Sequence, residues 1–191
     1  MFTINDLKPG IVFLYNNHPC QVLEATHLKV AQSAGMLQVK IKNLINGNAL
    51  STTFKSADKF EEAEVSRETY KFVYQYRDQF WFTKPDKPQQ RFFLEESKIG
   101  ENKYYLKPNA EIQVLYFNNK PIGIELPIKM DFEIKEAPPN IRGNTAQGGT
   151  KTATLETGLK IQVPLFIETG DIVRVNTQSG EYTERITKGA K

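Results

Sequence analysis

The chain has 191 residues, of which 39% are hydrophobic, and its net charge at neutral pH is +3. This length allows one to three small domains, and the slight positive charge permits contact with nucleic acid without requiring it. A single cysteine excludes an internal disulfide, and the two histidines argue against a metal centre. No apolar run reaches the ~18 residues of a spanning helix, and residues 1–10 lack a signal-peptide core, so we expect a cytoplasmic protein.

The first 64 residues show alternating apolar and polar positions, which is typical of short antiparallel strands. Strands are predicted at 11–15, 20–28, 37–45 and 50–54, with a hairpin turn at Asn46-Gly47. Four short strands in this length predict a small SH3-like barrel over residues 1–64. Its tip loop, residues 29–38, contains the small and nearly uncharged segment KVAQSAGM, which is poorly suited to a core.

An acidic run over residues 58–68, interpreted as a solvated connector, contains the predicted domain boundary near Glu64, and the second predicted domain covers residues 65–129. Here we expect a loop at 84–88 and a short helix over 90–99 that ends at Gly100. The predicted strands are 70–77, 79–83, 111–117 and 121–126. A third domain, residues 130–191, has predicted strands at 131–136, 151–155, 160–163, 171–175 and 181–186. This spacing favours two small barrels of the OB type.

Aromatic side chains are concentrated at the start of the second domain. Tyr70, Phe72, Tyr74 and Tyr76 recur at every second position, so they share one face of a strand, and we predict that this face is core. The alternative is a stacking platform for nucleic-acid bases, of the kind that OB-folds use.

The third domain contains a glycine-rich segment, residues 143–151. Its backbone N–H groups and threonine hydroxyls suit contact with phosphate or sugar, but it lacks the spacing of a P-loop. A binding loop and a flexible linker remain equally compatible with this composition.

No residue set points to catalysis. His18 lies in a predicted turn and His27 on a strand beside the tip loop, and neither has an identifiable acid–base partner. The carboxylates are scattered without a recognisable pair. We therefore expect a protein that is not an enzyme and has no cofactor. The end of the first domain near the tip is locally positive because of Lys29, Lys40 and Lys42.

Residues 151–170, KTATLETGLKIQVPLFIETG, resemble the signature of bacterial elongation factor P at its fixed positions. Three further segments agree with that family: Lys8-Pro9-Gly10, residues 40–44 and residues 177–182. The resemblance implies an all-β, L-shaped molecule of three small barrels, an N-terminal SH3-like (KOW-like) barrel followed by two OB-folds. It also implies a monomer that makes no contact with a membrane.

The same resemblance implies a translation elongation factor that binds both ribosomal subunits between the P and E sites. Its neighbour there would be peptidyl-tRNA, especially prolyl-tRNA, and it would relieve stalling at consecutive prolines. Members of the family act by positioning the substrate, which fits a chain without a catalytic set. Two alternatives stay open: a divergent paralogue for a subset of arrest motifs, and a general single-stranded nucleic-acid-binding OB protein.

The resemblance also assigns the candidate site residues. Lys29, Ala31, Gln32 and Ser33 would form the tip that points toward the peptidyl-transferase centre. The residues expected to contact RNA or tRNA are Lys40, Lys42, Asn144, Thr145, Gly148, Gly149, Tyr182 and Arg185.

The tip departs from the family pattern. Gln32 occupies the position where the family has a Lys or Arg that is often extended by modification, and Gln offers neither an amine nor a guanidinium. We interpret Gln32 as an unmodified side chain that hydrogen-bonds the CCA end. An alignment shifted by one residue would place Ala31 or Ser33 there, and a loop that merely closes a hairpin is a further alternative. Elsewhere, Asn144 replaces an expected Asp, Thr152 a Pro and Gln178 an Arg.

Overall fold

The computed structural model describes residues 1–28, 35–139 and 149–189, and within them fourteen strands form three antiparallel sheets. The sheets follow one another along the chain, with four, five and five strands. The prediction of an all-β molecule built from three small β-units is therefore confirmed, whereas the L-shaped arrangement stays a prediction.

The N-terminal sheet has the order β1-β2-β3-β4. Its strands are β1 (Val12–Tyr15), β2 (His18–Leu28), β3 (Met36–Asn43) and β4 (Ala49–Lys55). Asn16 and Asn17 turn β1 into β2 with positive φ angles of 50° and 62°, which Asn tolerates well. Because β3 begins at Met36, the loop is shorter than the predicted 29–38. Alternate side chains of this sheet fill a separate core with Phe13, Phe54 and Phe60 at its centre.

The central sheet has the order β7-β6-β5-β8-β9. Its strands are β5 (Val65–Tyr76), β6 (Gln79–Lys84), β7 (Lys87–Glu95), β8 (Glu111–Phe117) and β9 (Lys120–Glu125). Between β7 and β8 lie α1 (Glu96–Ile99) and a 3₁₀ helix (Gly100–Tyr105). Strand β5 therefore pairs with both β6 and β8, and the two short helices separate β7 from β8 along the chain.

The prediction of a helix over 90–99 is wrong for its first six residues. Residues 90–95 belong to β7, where Leu94 faces the core and Phe93 faces outward, in register with Phe80 and Trp81 of β6. Only Glu96–Ile99 is helical. The predicted loop at 84–88 is also shorter, because Lys84 already pairs with Lys87.

The prediction that Tyr70, Phe72, Tyr74 and Tyr76 all face the core is wrong for the last two. Tyr70 and Phe72 are buried, but Tyr74 and Tyr76 are exposed. The reason is a β-bulge: Phe72 pairs with Phe82 and Tyr74 with Trp81, so Val73 is an extra residue without a partner. One extra residue reverses the face of every later side chain in the strand.

The C-terminal sheet has the order β12-β11-β10-β13-β14. Its strands are β10 (Lys129–Glu136), β11 (Thr150–Leu155), β12 (Lys160–Pro164), β13 (Ile172–Asn176) and β14 (Tyr182–Thr187). This order repeats that of the central sheet, and buried residues of both sheets form one continuous hydrophobic cluster. None of the helices in the described part of the chain is long and apolar enough to cross a membrane.

Candidate functional site

The base of the tip loop lies at one end of the N-terminal sheet. Leu28, the last residue of β2, pairs with Met36, the first residue of β3, and the Ser56 N–H donates to the Gly35 carbonyl oxygen at 3.1 Å. The predicted tip residues Lys29, Ala31, Gln32 and Ser33 lie outside the described residues. Because β2 is eleven residues long, the hairpin places the two ends of this loop far from the β1–β2 turn.

Lys40 and Lys42 face outward from β3, as the alternation predicts, while their neighbours Val39 and Ile41 are buried. We call this surface the outer face of the N-terminal sheet; it consists of Gln38, Lys40 and Lys42 with the side chains opposite them on β2 and β4. Those opposite residues are mostly neutral and polar: Gln21, Glu24, Thr26, Ala49, Ser51 and Thr53. Hydroxyls, amides and amines together suit a sugar–phosphate backbone.

Glu24 is the one carboxylate on this outer face, and it forms an ion pair with Lys40 at 3.3 Å. The two side chains are 46% and 71% exposed, so the pair contributes little to stability. A phosphate can therefore replace Glu24 as the partner of Lys40 at small cost.

The described residues that flank the glycine-rich segment are held by hydrogen bonds. Lys151 Nζ donates to the Pro138 carbonyl oxygen at 2.7 Å, and the Leu165 N–H donates to the Gly149 carbonyl oxygen at 3.3 Å. Of the candidate residues here, only Gly149 is described; Asn144, Thr145 and Gly148 lie outside the described residues. The two flanks thus begin and end on neighbouring strands, β10 and β11.

Beside these flanks lies a shallow groove of about 550 Å³ that the sequence reasoning missed. Its polar lining combines two lysines and three threonine hydroxyls with one carboxylate: Lys135, Lys160, Thr152, Thr154, Thr169 and Glu136. The sequence did indicate that these threonines face outward, because Thr152 and Thr154 alternate with the buried Ala153 and Leu155 along β11. This composition can bind an anion such as phosphate.

Tyr182 and Arg185 lie on β14, which β10 and β13 separate from β11 in the sheet. Tyr182 packs against the core, and burial raises the pKa of its hydroxyl. The Arg185 guanidinium lies over the Phe166 ring at 5.1 Å and pairs with Asp171 at 3.4 Å. Arg185 is therefore engaged within the protein, and a contact with RNA stays a prediction.

Asp171 is the most buried carboxylate of this region, with an exposed fraction of 1%. Burial alone would raise the pKa of this carboxyl, but N–H groups of Glu168 and Gly189 and the Arg185 guanidinium lower it below its ordinary value. The carboxylate form is thereby favoured, so Asp171 serves as an anchor for β14 and the segment after it.

Of the described candidate residues, Lys40 and Lys42 lie on β3 of the N-terminal sheet and Tyr182 and Arg185 on β14 of the C-terminal sheet, which suits an extended ligand. Residues 1–28, 35–139 and 149–189 contain no group of three or more His, Cys, Asp or Glu side chains that could hold a metal ion. His18 is exposed, and its Nδ1 is 2.7 Å from the Asn16 carbonyl oxygen.

Three family models match successive parts of the chain. The elongation factor P KOW-like domain matches residues 3–60, the elongation factor P OB domain matches residues 65–124, and the elongation factor P C-terminal model matches residues 130–185. These ranges correspond to the three sheets, so the SH3-like (KOW-like) and OB assignments are confirmed.

Curated relatives match over nearly the whole chain. Elongation factor P of Thermotoga petrophila and that of Dictyoglomus thermophilum are each 40% identical over 185 residues. Elongation factor P of Moorella thermoacetica is 38% identical over the same length. Each alignment covers 97% of this chain and 100% of the relative.

Among solved structures, translation initiation factor 5A from Methanococcus jannaschii matches with a TM-score of 0.44 and 14% identity, over 66% of this chain and 92% of its own. By the family models and the full-length relatives, this chain belongs to the elongation factor P family of translation factors.

Proposed function

We propose that this protein binds the ribosome between the P and E sites and stimulates peptide-bond formation at consecutive prolines. The observation that supports this most strongly is the family match in all three sheets together with full-length relatives named elongation factor P. Its partners would be both ribosomal subunits and peptidyl-tRNA, especially prolyl-tRNA, and it would act as a monomer. The three domains would span residues 1–64, 65–129 and 130–191.

The distribution of the candidate residues supports an extended RNA partner. Lysines and hydroxyl groups lie on the outer face of the N-terminal sheet, and a second group lines the groove beside β11. In this proposal Lys40 and Lys42 contact ribosomal RNA, and Asn144, Thr145, Gly148 and Gly149 contact tRNA. Such contacts fix register and orientation, which is what a positioning factor requires.

Gln32 is proposed to act without modification. It belongs to the seven-residue segment between the paired Leu28 and Met36, and in this proposal it takes the position at which the family has a Lys or Arg. An amide can donate to and accept from the CCA end, and orientation of a slow substrate is enough to accelerate it.

The test is the rate of Pro-Pro-Pro synthesis in a purified translation system with protein shown by intact mass to be unmodified. Wild type should accelerate synthesis, and Gln32→Ala should return the rate toward the level without factor. Gln89→Ala is the matched control, because Gln89 is an exposed glutamine of β7 outside the tip and outside the outer face of the N-terminal sheet, and it should act like wild type. Equal activity of Gln32→Ala and wild type would remove Gln32 from the mechanism.

Two other functions give different results in related assays. A paralogue restricted to a subset of arrest motifs would leave Pro-Pro-Pro synthesis unchanged and accelerate other stalled sequences. A general single-stranded nucleic-acid-binding protein would bind bare oligonucleotides tightly, with a steep dependence on salt, and would not stimulate synthesis.

A further inference from the structure

The outer face of the central sheet presents a row of aromatic side chains that the core does not use. Tyr74 and Phe93 are 41% and 42% exposed, and Trp81 lies between them. Tyr74 and Trp81 stack with ring centroids 5.9 Å apart and planes 16° apart, and Phe93 is 5.3 Å from Trp81. We call these three residues the aromatic row. Tyr76, two residues along β5, extends it and is 57% exposed.

The β-bulge at Val73 produces this surface. Without the extra residue, Tyr74 would share the inward face of Tyr70 and Phe72. The inner face is already filled by Tyr70, Phe72, Phe80, Phe82 and Leu94. Bulges commonly re-aim side chains at functional sites, and neighbouring exposed aromatic side chains are typical of interaction surfaces.

The place of the row within the fold points to nucleic acid. The strands β5, β6 and β7 are the first three strands of an OB-type sheet, and Trp81 and Phe93 lie on the second and third. OB-folds bind oligonucleotides on the face of these two strands, between the loops that join strands one to two and four to five. In this chain those loops are Arg77-Asp78 and Asn118-Asn119.

Charges at the two ends of the row favour a polyanion with exposed bases. Arg91 faces outward on β7 two residues before Phe93, and Arg77 lies over the Tyr76 ring at 5.3 Å. Neither arginine belongs to an ion pair within the described residues, whereas Lys71 and Lys84 are paired with Glu111 and Glu68. Asp78 and Glu95 lie near the Arg77 end, so the Arg91 end is the more cationic.

We propose that the aromatic row is a stacking platform for unpaired RNA bases, with Arg91 as a phosphate contact. Aromatic rings accept any base, because every base has a π-face, while a neighbouring guanidinium fixes the backbone. The inference extends the proposed function and rests on it for the source of the RNA, which would be ribosomal or transfer RNA. It adds a contact made by the central domain, separate from the tip and from the glycine-rich segment.

The row contains its own reporter, because Trp81 is the only tryptophan of the chain. Titration with a single-stranded oligouridine should quench the Trp81 fluorescence, and a fully paired RNA duplex should not. Tyr74→Ala with Phe93→Ala should weaken the affinity about five-fold or more.

Tyr104→Ala is the matched control, since Tyr104 is equally exposed in the 3₁₀ helix. Phe93→Leu keeps an apolar side chain without a π-face, so it separates stacking from packing.

The second arm is photo-crosslinking of the protein on the ribosome, with the crosslinked peptides identified by mass spectrometry. We expect RNA adducts on β6 or β7 and on residue 74. The platform is overturned if oligouridine does not change the Trp81 fluorescence, or if these strands crosslink on the ribosome only to ribosomal protein. If the protein stimulates Pro-Pro-Pro synthesis but oligouridine does not quench the Trp81 fluorescence, only the proposed stacking role of the aromatic row is contradicted. Quenching without stimulation supports the platform and contradicts the proposed function.

Discussion

Asp171 shows how one buried carboxylate can hold the end of a β-unit. It accepts hydrogen bonds from the backbone N–H groups of Glu168 at 3.0 Å and Gly189 at 2.8 Å, and it pairs with Arg185. The three donors come from before β13, from β14 and from the segment after it. Asp171 therefore fixes the position of β14, where two of the candidate RNA-binding residues lie.

We predict that Asp171→Asn lowers the free energy of unfolding by about 1–3 kcal/mol at neutral pH, because the amide nitrogen cannot accept and one buried donor loses its partner. Urea unfolding followed by circular dichroism measures this loss. Asp86→Asn in the exposed turn between β6 and β7 is the control and should change the stability little.

The difference between Asp171→Asn and wild type should shrink in acid. The folded pKa of Asp171 is lowered from 3.8, so its carboxylate stabilises the fold above that value, and this contribution is lost as the pH falls through the folded pKa. Parallel pH profiles of the two proteins between neutral pH and strong acid would contradict this account.

The strands were largely predictable, because hydrophobic alternation reports directly on a sheet with one buried face. On β3, for example, Leu37, Val39 and Ile41 are buried and Gln38 and Lys40 between them are exposed, as expected. Residues 90–95 were mistaken for helix because the pair Phe92-Phe93 interrupts the alternation in the sequence. In the sheet, Phe92 packs inward against Tyr70, while Phe93 lies on the outer face.

The bulge at Val73 and the pairing of Arg185 were not predictable from sequence patterns. A bulge depends on which residues of the neighbouring strand find a partner, and period-two counting assumes that none is skipped. Arg185 reads as a free cation next to Tyr182, yet its partner Asp171 is fourteen residues away and reaches it only through strand pairing. Both failures come from non-local contacts.

On the outer face of the N-terminal sheet, we predict that Lys40 and Lys42 each contribute a phosphate contact. Lys40→Ala or Lys42→Ala should reduce the slope of log Kd against log salt for ribosome binding by roughly one. Their affinity loss should be largest at low salt. Lys59→Ala, an exposed lysine of the same domain outside this face, should leave the slope unchanged. Unchanged slopes for all three variants would exclude the outer face from RNA binding.

At the scale of the whole molecule, the described residues have two hydrophobic cores rather than three. The N-terminal sheet has its own cluster, while the central and C-terminal sheets share one. Tyr105 contacts Phe132 with ring centroids 6.1 Å apart, and the Thr177 hydroxyl donates to the Pro127 carbonyl oxygen at 2.8 Å. The sequence suggested three equivalent units. The short connection between β9 and β10 does not reveal that the sheets on either side of it share a core.

Lys107 joins the two sheets of the shared core. Its Nζ donates to the Asp131 carbonyl oxygen at 2.7 Å and to the Glu156 carboxylate at 3.0 Å, and it lies 5.3 Å from the centre of the Phe132 ring. A methionine at this position would retain the packing of the stem but lose both polar contacts. Because Lys107 belongs to the central domain and its partners to the C-terminal domain, its removal should weaken both together.

We predict that the central and C-terminal sheets unfold as one cooperative unit and the N-terminal sheet as another. Trp81 lies in the central sheet, and Cys20, the only cysteine, is buried in the N-terminal core, so fluorescence and thiol labelling report on the two units separately. Lys107→Met should lower the stability reported by Trp81 by about 1–2 kcal/mol and leave the urea dependence of Cys20 labelling unchanged.

Lys120→Met, at an exposed position of β9, is the control and should change neither signal. If Lys107→Met shifts both signals equally, the chain unfolds as a single unit, and the rigid connection extends from the C-terminal sheet to the base of the tip loop.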